Sequence, residues 1–329
     1  MFYFCTCFDS NYLSRGLTLH ASLLKHTGDF KLMVLCFDEG AYEYLVREKP
    51  YGVVPVREED FIKNDLPLQQ AQHNRNRFEF YFTCTPSLAL YALEKFPDAD
   101  IITYLDADLF FYNNPATLDA ELGSGSILML EHRLPFLMRH KLKYGRYNVG
   151  YLSFRRDASG LACLRWWRER CNEWCYDRLE GERFADQKYL DQWPGLFSGV
   201  VVSQNHGAGL APWNIGRSKV RGMTGGNEVS VDGQPLIFYH FHGLKYASPY
   251  LFYDRLIPNL AVLGPAAVKL VYLPYLRVLS RFIKCIQHKE SVLRRGAGST
   301  SLRGLLRYLI SSYYFLLPEY VKSKIKQDL

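Results

Sequence analysis

The sequence has no uncharged apolar run of the ~18 residues that a membrane-spanning helix needs. Its nearest approach, Leu256 to Leu279, is cut by Pro258, Pro265, Lys269, Pro274 and Arg277. The 8 cysteines include no CxxC pair. Cys171 and Cys175 lie four apart on an expected helix without a second pair, so a zinc centre is not indicated. The opening MFYFCTCFDS has no basic region followed by an apolar core, so no secretory leader is expected. Reduced thiols in a cytoplasm follow as the simplest reading. Phe2–Asn11 contains no glycine, which argues against a Gly-rich phosphate loop at the first strand. Internal repeats and low-complexity segments are also missing.

What is present is a globular composition. Of 329 residues, 48% are hydrophobic and 22% charged, which excludes bulk disorder and fibrous repeats. The length fits about two domains, or one large α/β domain with an appendage. Aromatics reach 15%, with 24 Tyr and 21 Phe, which suits a ligand cleft or a wet interface. The net charge of +7 is uneven. Residues 256–329 hold 12 Lys/Arg and 3 Asp/Glu, whereas residues 1–255 hold 28 and 30. A nearly neutral body with a basic tail points to an anionic partner for the tail, a membrane surface or nucleic acid.

The pattern along the chain predicts strands at Phe2–Phe8, Lys31–Phe37 and Gly52–Val56, with helices over 12–26 and 41–48 between them. Such alternation argues for a parallel sheet with crossover helices. A helical stretch over 76–95, broken or entered near Pro86, leads to the buried strand Ile101–Leu105. Further strands are expected near Ser126–Leu130, Tyr151–Phe154 and Val200–Ser203. The spacing also gives a Trp-rich helix over about 158–180, a short helix opened by Asp186-Gln187, and a hairpin near 229–238.

Several residue groups could carry chemistry. Asp106-Ala107-Asp108 follows a strand directly, where ligands of open α/β sheets bind. Two carboxylates at i,i+2 can turn toward one hard cation, with a diphosphate completing the shell. A chain of this size should hold about one such pair by chance. Asp98-Ala99-Asp100, before the strand, supplies that control and reads as a solvated turn. In Tyr239-His240-Phe241-His242-Gly243-Leu244-Lys245, a neutral imidazole can join two carboxylates on a divalent ion. Gly243 would admit a phosphate to the backbone and Lys245 could neutralise it. The bland alternative is a pair of hydrogen-bonded histidines at a strand end. Asp186 and Gln187 could hold sugar hydroxyls or a reacting centre, or could merely cap a helix. Asn148-Val149-Gly150 could bind a polar ligand or form a plain turn. Asp9, Asn11 and Tyr12 could hold a base, or cap a helix beside a core tyrosine.

Taken in order along the chain, these motifs resemble those of GT-A fold nucleotide-diphospho-sugar glycosyltransferases, most closely glycosyltransferase family 8 and its bacterial relatives. The resemblance rests chiefly on Tyr104-Leu105-Asp106-Ala107-Asp108 and His240-Phe241-His242-Gly243, and covers roughly residues 1–250. It implies a mixed, mostly parallel Rossmann-like sheet flanked by helices, with a C-terminal basic helical extension. Residues 1–255 would form the catalytic domain, binding nucleotide-sugar in the first half and acceptor in the second, and 256–329 the tail. Asp9 and Tyr12, with the Cys7 backbone and Asn11, would hold uracil. Asp106 would touch ribose and metal, Asp108 would ligate the metal, and His240 would be the third protein ligand, with His242 as alternative. Gly243 and Lys245 would contact the diphosphate, while Asn148, Asp186 and Gln187 would face the donor sugar and the reacting carbon as the catalytic set, with Asp186 a candidate base or sugar-orienting group. The family's usual cation is Mn²⁺ rather than Mg²⁺, its donor a UDP-sugar, and its outcome retention. Phe82 stands where the family carries an arginine, and Arg77 or Arg75 could substitute. Lys245 follows His240 by five residues rather than six, and Tyr246-Ala247 replaces the family's Pro-Trp. Ala211-Pro212-Trp213-Asn214 is outside the family pattern and could be part of an acceptor wall.

The implied activity is transfer of a sugar from a UDP-sugar to a glycan or glycolipid acceptor, in surface polysaccharide or lipopolysaccharide synthesis. Rival readings are a non-catalytic nucleotide- or glycan-binding protein and a nucleotidyltransferase on a similar fold. In the tail, apolar and basic residues interleave over 259–289 and 301–317, with Leu302, Leu305, Leu306, Leu309 and Ile310 as one stripe, Arg303 and Arg307 on another face, and Tyr313, Tyr314 and Phe315 as aromatic anchors. Arg294–Thr300 reads as a linker. Either the tail binds the anionic inner face of a membrane, making the protein peripheral, or it caps the catalytic domain. Nucleic acid is disfavoured because the aromatics sit in apolar stripes.

Overall fold

The structure is a computed structural model that describes residues 1–223, 228–254, 256–289 and 313–317. Eight strands come first: β1 (Phe2–Phe8), β2 (Phe30–Cys36), β3 (Val53–Arg57), β4 (Ile101–Leu105), β5 (Leu109–Phe111), β6 (Ile127–Glu131), β7 (Tyr147–Arg155) and β8 (Val200–Val202). All but β5 form one sheet in the order β3-β2-β1-β4-β7-β6-β8. β7 runs antiparallel to both of its neighbours, and every other pairing is parallel. The expected mixed, mostly parallel sheet is therefore observed.

Period-two alternation distributes the strand residues between two apolar layers. Cys5, Met33, Leu35, Ile102, Leu152 and Phe154 meet the helices Arg77–Lys95 and Ala158–Glu173 through Cys84, Leu88 and Trp167. On the other face Phe4, Phe8, Leu32 and Val34 meet Leu13, Leu17 and Leu23 of the helix Leu13–His26. That helix lies so close to β1 that a Cβ on Gly16 would come within 2.3 Å of the Phe8 ring.

Three local readings are corrected. The helix Arg77–Lys95 runs unbroken through Pro86. An Asn76/Glu79 capping box starts it, and burial of Phe80, Cys84, Leu88 and Ala92 holds it past the missing N–H. Asn148-Val149-Gly150 is not a turn but part of β7, whose pairing with β4 and β6 overrides the local turn chemistry. The Trp-rich helix ends at Glu173 rather than near 180.

The second half adds β9 (Val220–Gly222), β10 (Val229–Val231), β11 (Gln234–Pro235), β12 (Phe238–His240), β13 (Lys245–Tyr246), β14 (Leu251–Asp254) and β15 (Tyr313–Leu316). β12 pairs antiparallel with β5. β9–β11 form one small sheet and β13–β15 another.

Within the tail, the helix Leu273–Lys289 buries Tyr275, Leu276, Leu279 and Ile283. Its described apolar face therefore packs on the body and is not free for a lipid surface. Tyr275 stacks on Phe241 with ring centroids 3.6 Å apart. Tyr313–Leu316 is a strand rather than a helix, and Phe315 stacks on Tyr272 at 4.8 Å. The expected linker Arg294–Thr300 and the Leu302–Ile310 stripe lie outside the described residues. No helix among the described residues is long and apolar enough to cross a membrane.

Tyr272 ties this region together. Its hydroxyl donates to Asp254 Oδ2 at 2.8 Å and lies 2.7 Å from the Tyr239 hydroxyl, and all three residues are fully buried. Removing the hydroxyl takes one hydrogen bond from a buried carboxylate, which costs about 1–3 kcal/mol. Tyr272→Phe should lower the urea midpoint accordingly. An unchanged midpoint would mean that Asp254 is satisfied without it.

Candidate functional site

The site is assembled by strand ends. β4 delivers Asp106, whose N–H donates to the Gly150 carbonyl of β7 at 3.0 Å. The chain turns at once, with the Leu109 N–H donating to the Asp106 carbonyl at 3.2 Å, and enters β5. β5 pairs with β12 so that Leu109 faces His240. The Phe241 N–H then donates to the Asp108 carbonyl at 3.0 Å. Backbone pairing alone thus carries the histidine motif to the acidic motif.

His240 Nε2 lies 3.0 Å from Asp108 Oδ1 and 3.5 Å from Asp106 Oδ2. It is buried, and among the described residues it makes no well-formed hydrogen bond. Asp108 is itself 7% exposed and His240 3%. Burial alone would push the His240 imidazole down, but the Asp108 carboxylate, and then Asp106, turn the shift upward. Burial would raise Asp108, and the charge and contact of His240 overcome it, so that carboxyl lies below its usual range. Asp106 goes the other way: burial and the adjacent Asp108 raise it against the pull of His240 and the Tyr104 hydroxyl. That hydroxyl donates to Asp106 Oδ1 at 3.0 Å. An orphaned buried nitrogen facing two carboxylates is a donor set that fits a hard or borderline divalent cation. Asp108, His240 and His242 also bring one ligand atom each within 4.8 Å of one another. Both histidines thus remain placed to ligate, His240 buried and His242 exposed.

Gly150 completes the cradle. A Cβ there would meet Asn148 Oδ1 at 2.7 Å, Asp106 Oδ2 at 3.0 Å and His240 Cε1 at 3.0 Å. Asn148 is locked in place. Its Oδ1 accepts from the Gly150 N–H at 2.9 Å, and its amide nitrogen lies 3.3 Å from His132 Nε2. His132 Nδ1 faces the Arg146 carbonyl at 3.0 Å, which makes Nδ1 the protonated nitrogen and leaves Nε2 to accept from Asn148. Burial pushes His132 down to about 4, so the ring stays neutral.

At the end of β1, Asp9 Oδ1 accepts from the N–H groups of Asn11 at 3.0 Å and Tyr12 at 3.2 Å. Asp9 Oδ2 accepts from Asn11 Nδ2 at 3.2 Å and the Tyr81 hydroxyl at 3.3 Å. Arg77 Nη2 is 3.4 Å from Asp9 Oδ2 and 3.6 Å from Asp38 Oδ2. Arg75 is instead committed to the Tyr176 hydroxyl at 2.9 Å and the Asn172 carbonyl at 3.1 Å. Of the two arginines weighed from sequence, only Arg77 reaches the Asp9 group. Cys7 Sγ lies 3.7 Å from the Tyr104 hydroxyl, which links it to Asp106.

Asp186 is 5% exposed, and its carbonyl accepts from the Trp167 indole at 2.9 Å. Gln187 donates to the Tyr144 carbonyl at 3.1 Å. Gly243 has φ +78°, and a Cβ there would meet nothing within 4 Å, so the space in front of it is open. Lys245 is exposed on β13.

Sequence reading missed Arg15 and understated Trp213. Arg15 is 7% exposed and donates to the Leu244 carbonyl at 2.9 Å, with its guanidinium over the Tyr12 ring at 4.4 Å. It joins the first helix to the turn after His242, and its only signal was a charge one turn beyond Tyr12. Trp213 touches the rings of His132, His240 and His242 with centroids 5.2, 5.4 and 5.6 Å away.

No protein-family model matches the chain. It is 33% identical over 293 residues to the uncharacterized protein YfnD of Bacillus subtilis strain 168, covering 87% of this chain and 91% of that one. The uncharacterized protein YfnF of the same organism is 32% identical over 254 residues, 74% and 82% of the two chains. Among solved structures, the galactosyltransferase LgtC in complex with donor and acceptor sugar analogs is similar with a TM-score of 0.50 at 15% identity, over 88% of this chain and 99% of that one. The fold is GT-A.

Burial, and then the charge of Asp106, push the Asp186 carboxyl from its ordinary 3.8 up to about 8. Between those values the native state keeps a proton that the unfolded chain has released, so this group makes stability fall as pH rises. Asp186→Asn should therefore be stabilised relative to wild type in metal-free buffer, by a margin that grows from pH 4 to 8 and levels off above. Urea midpoints across that range check this. A margin independent of pH would contradict it.

Proposed function

The chain belongs to the family of the Bacillus subtilis proteins YfnD and YfnF and has a GT-A fold; on that premise we propose that it is a metal-dependent glycosyltransferase related to glycosyltransferase family 8. The observation that carries the reading is His240 Nε2, buried 3.0 Å from Asp108 and 3.5 Å from Asp106 and, among the described residues, without a well-formed hydrogen bond. Asp106, Asp108 and His240 would hold a divalent cation, Mn²⁺ in preference to Mg²⁺, with His242 the alternative imidazole. Such an ion supplies neutralisation of the charge that develops on a departing nucleoside diphosphate.

The chain's own groups divide the remaining work. Asp9, Asn11 and Tyr12, with the Cys7 backbone, bind the uracil of a UDP-sugar, and Arg77 orients Asp9. The Gly243 backbone and Lys245 bind the diphosphate, and Arg15 holds that turn against the first helix. Asn148, fixed by Gly150 and His132, faces the donor sugar together with Gln187. Asp186, held protonated by its burial, donates a hydrogen bond to a sugar hydroxyl rather than acting as a strong base. Transfer proceeds with retention to a glycan or glycolipid acceptor, in surface polysaccharide or lipopolysaccharide synthesis at the cytoplasmic face of the membrane. Residues 1–255 carry this chemistry, and the basic stretch 256–329 is drawn to the anionic surface.

The test is binding of UDP with Mn²⁺, Mg²⁺ or EDTA to wild type and Asp108→Ala, read by calorimetry. Loss of contacts outside the ligand shell already costs 10–100-fold in metal affinity, so loss of a ligand should weaken metal-dependent UDP binding by about a hundredfold. Thermal unfolding confirms that the variant folds. Unchanged UDP affinity in Asp108→Ala would overturn the metal role. A panel of UDP-, GDP-, CMP- and dTDP-sugars, followed by slow donor hydrolysis, then separates a transferase from a mere binding protein.

A further inference from the structure

The described helix of the tail buries its apolar side, so it offers a lipid surface charge without apolar anchors. Those anchors stand elsewhere. The 3-10 helix Phe136–Tyr144 buries only Met138 and leaves Phe136 and Leu137 each 72% exposed. Lys141 Nζ donates to Asn259 Oδ1 at 3.2 Å, which joins this helix to the segment 257–262. There Leu260 is 58% exposed and Val262 73%. Leu260 ends the 3-10 turn Ile257–Asn259 in the left-handed conformation, φ +54°, with its N–H donating to the Ile257 carbonyl. Residues 215–217 adjoin the same segment, since a Cβ on Gly216 would lie 3.1 Å from Ala261 Cα.

The three stretches that meet here, 132–146, 210–223 and 256–273, carry nine Lys/Arg, among them Arg139, Lys143, Arg217 and Lys219, and not one Asp or Glu. Glu131 faces Arg146 at 3.9 Å at the edge of this region, so cations outnumber acids without excluding them. Single exposed apolar side chains need no explanation, but apolar tips set among an excess of cations are the pattern of an interfacial contact. A soluble polyanion would explain the cations and leave Phe136, Leu137, Leu260 and Val262 without a role. The patch also adjoins the site: Met138 packs with Trp213, whose ring touches His240 and His242.

We propose that Phe136, Leu137, Leu260 and Val262 insert into an anionic lipid bilayer whose headgroups bind the surrounding arginines and lysines. This docking sets the Trp213 side of the cleft toward the membrane, where a lipid-linked acceptor would be met. Two signals, apolar anchors here and charge from the tail, give the firmer association that either alone does not. The assignment does not depend on the donor or the metal.

The test uses the full chain and vesicles of phosphatidylcholine with and without phosphatidylglycerol, read by co-sedimentation. Wild type should bind the mixed vesicles, and F136S/L137S should bind them about tenfold more weakly or worse with an unchanged melting temperature. Both side chains are exposed, so the variant keeps the fold. R139E/K143E should weaken binding and reduce its salt dependence. Three results would overturn the proposal: no binding of wild type to the mixed vesicles, equal binding by F136S/L137S, or binding to heparin without binding to vesicles. The second result would assign the membrane contact to the tail, and the third would assign the patch to a soluble polyanion.

Discussion

The pairing of His240 with Leu109 is the constraint on which the site depends. β4 places Asp106 and Asp108 at the end of the sheet, as an α/β fold of this kind allows. Nothing in the sheet itself, however, brings a third ligand to them. The short β5–β12 ribbon does so with backbone hydrogen bonds, and the Phe241 N–H to the Asp108 carbonyl fixes the register at the site. A slip of one residue would turn His240 away and present Tyr239 or Phe241 instead. Phe241 and Tyr239 prevent the slip by being buried, against Tyr275 and Tyr272 of the C-terminal region. The tail therefore contributes to the site through packing, whatever else it contacts.

Four titratable groups are held there against the cost of burial. Asp108 and His240 offset each other, while Asp106 is pushed toward its protonated form and Asp186 further still. Such an arrangement is poorly solved by the protein alone: among the described residues His240 Nε2 has the Asp108 contact at 3.0 Å but no well-formed hydrogen bond, and the Tyr104 hydroxyl is the one side-chain hydrogen-bond donor to Asp106. A cation would relieve both at once, and the absence of a Cβ at Gly150 keeps the space between Asp106 and His240 open. Asn148 shows the complementary design. It is buttressed by a neutral imidazole and a backbone N–H, so its orientation is decided before any ligand arrives.

Much of this was legible in the sequence because it was local. The strand Phe2–Phe8 ends in turn chemistry, and the strand Ile101–Leu105 runs directly into its two aspartates, so the pattern and the fold agree. The errors arose where tertiary contacts overrode local preference. Asn148-Val149-Gly150 carries turn residues, yet it is drawn into β7 by two flanking strands. Pro86 is carried inside a helix by burial on both sides of it. Tyr313–Leu316 follows a helical stripe pattern but pairs with β14, a partner no local rule can name. Arg15 was invisible for the same reason, since its contact with Leu244 spans most of the chain. The choice between Arg75 and Arg77 also needed the structure, because Arg75 lies in the extended link before Asn76 and Arg77 opens the helix, and the two reach different neighbours.

Asp108 and His240 are placed to grip a divalent cation. Crystals grown with UDP and Mn²⁺, with diffraction measured at the manganese edge, test it most directly. An anomalous peak is expected within bonding distance of an Asp108 carboxylate oxygen and of His240 Nε2, with Asp106 beside it. A structure with UDP bound and no ion between those groups, or with the ion on residues elsewhere, would contradict it.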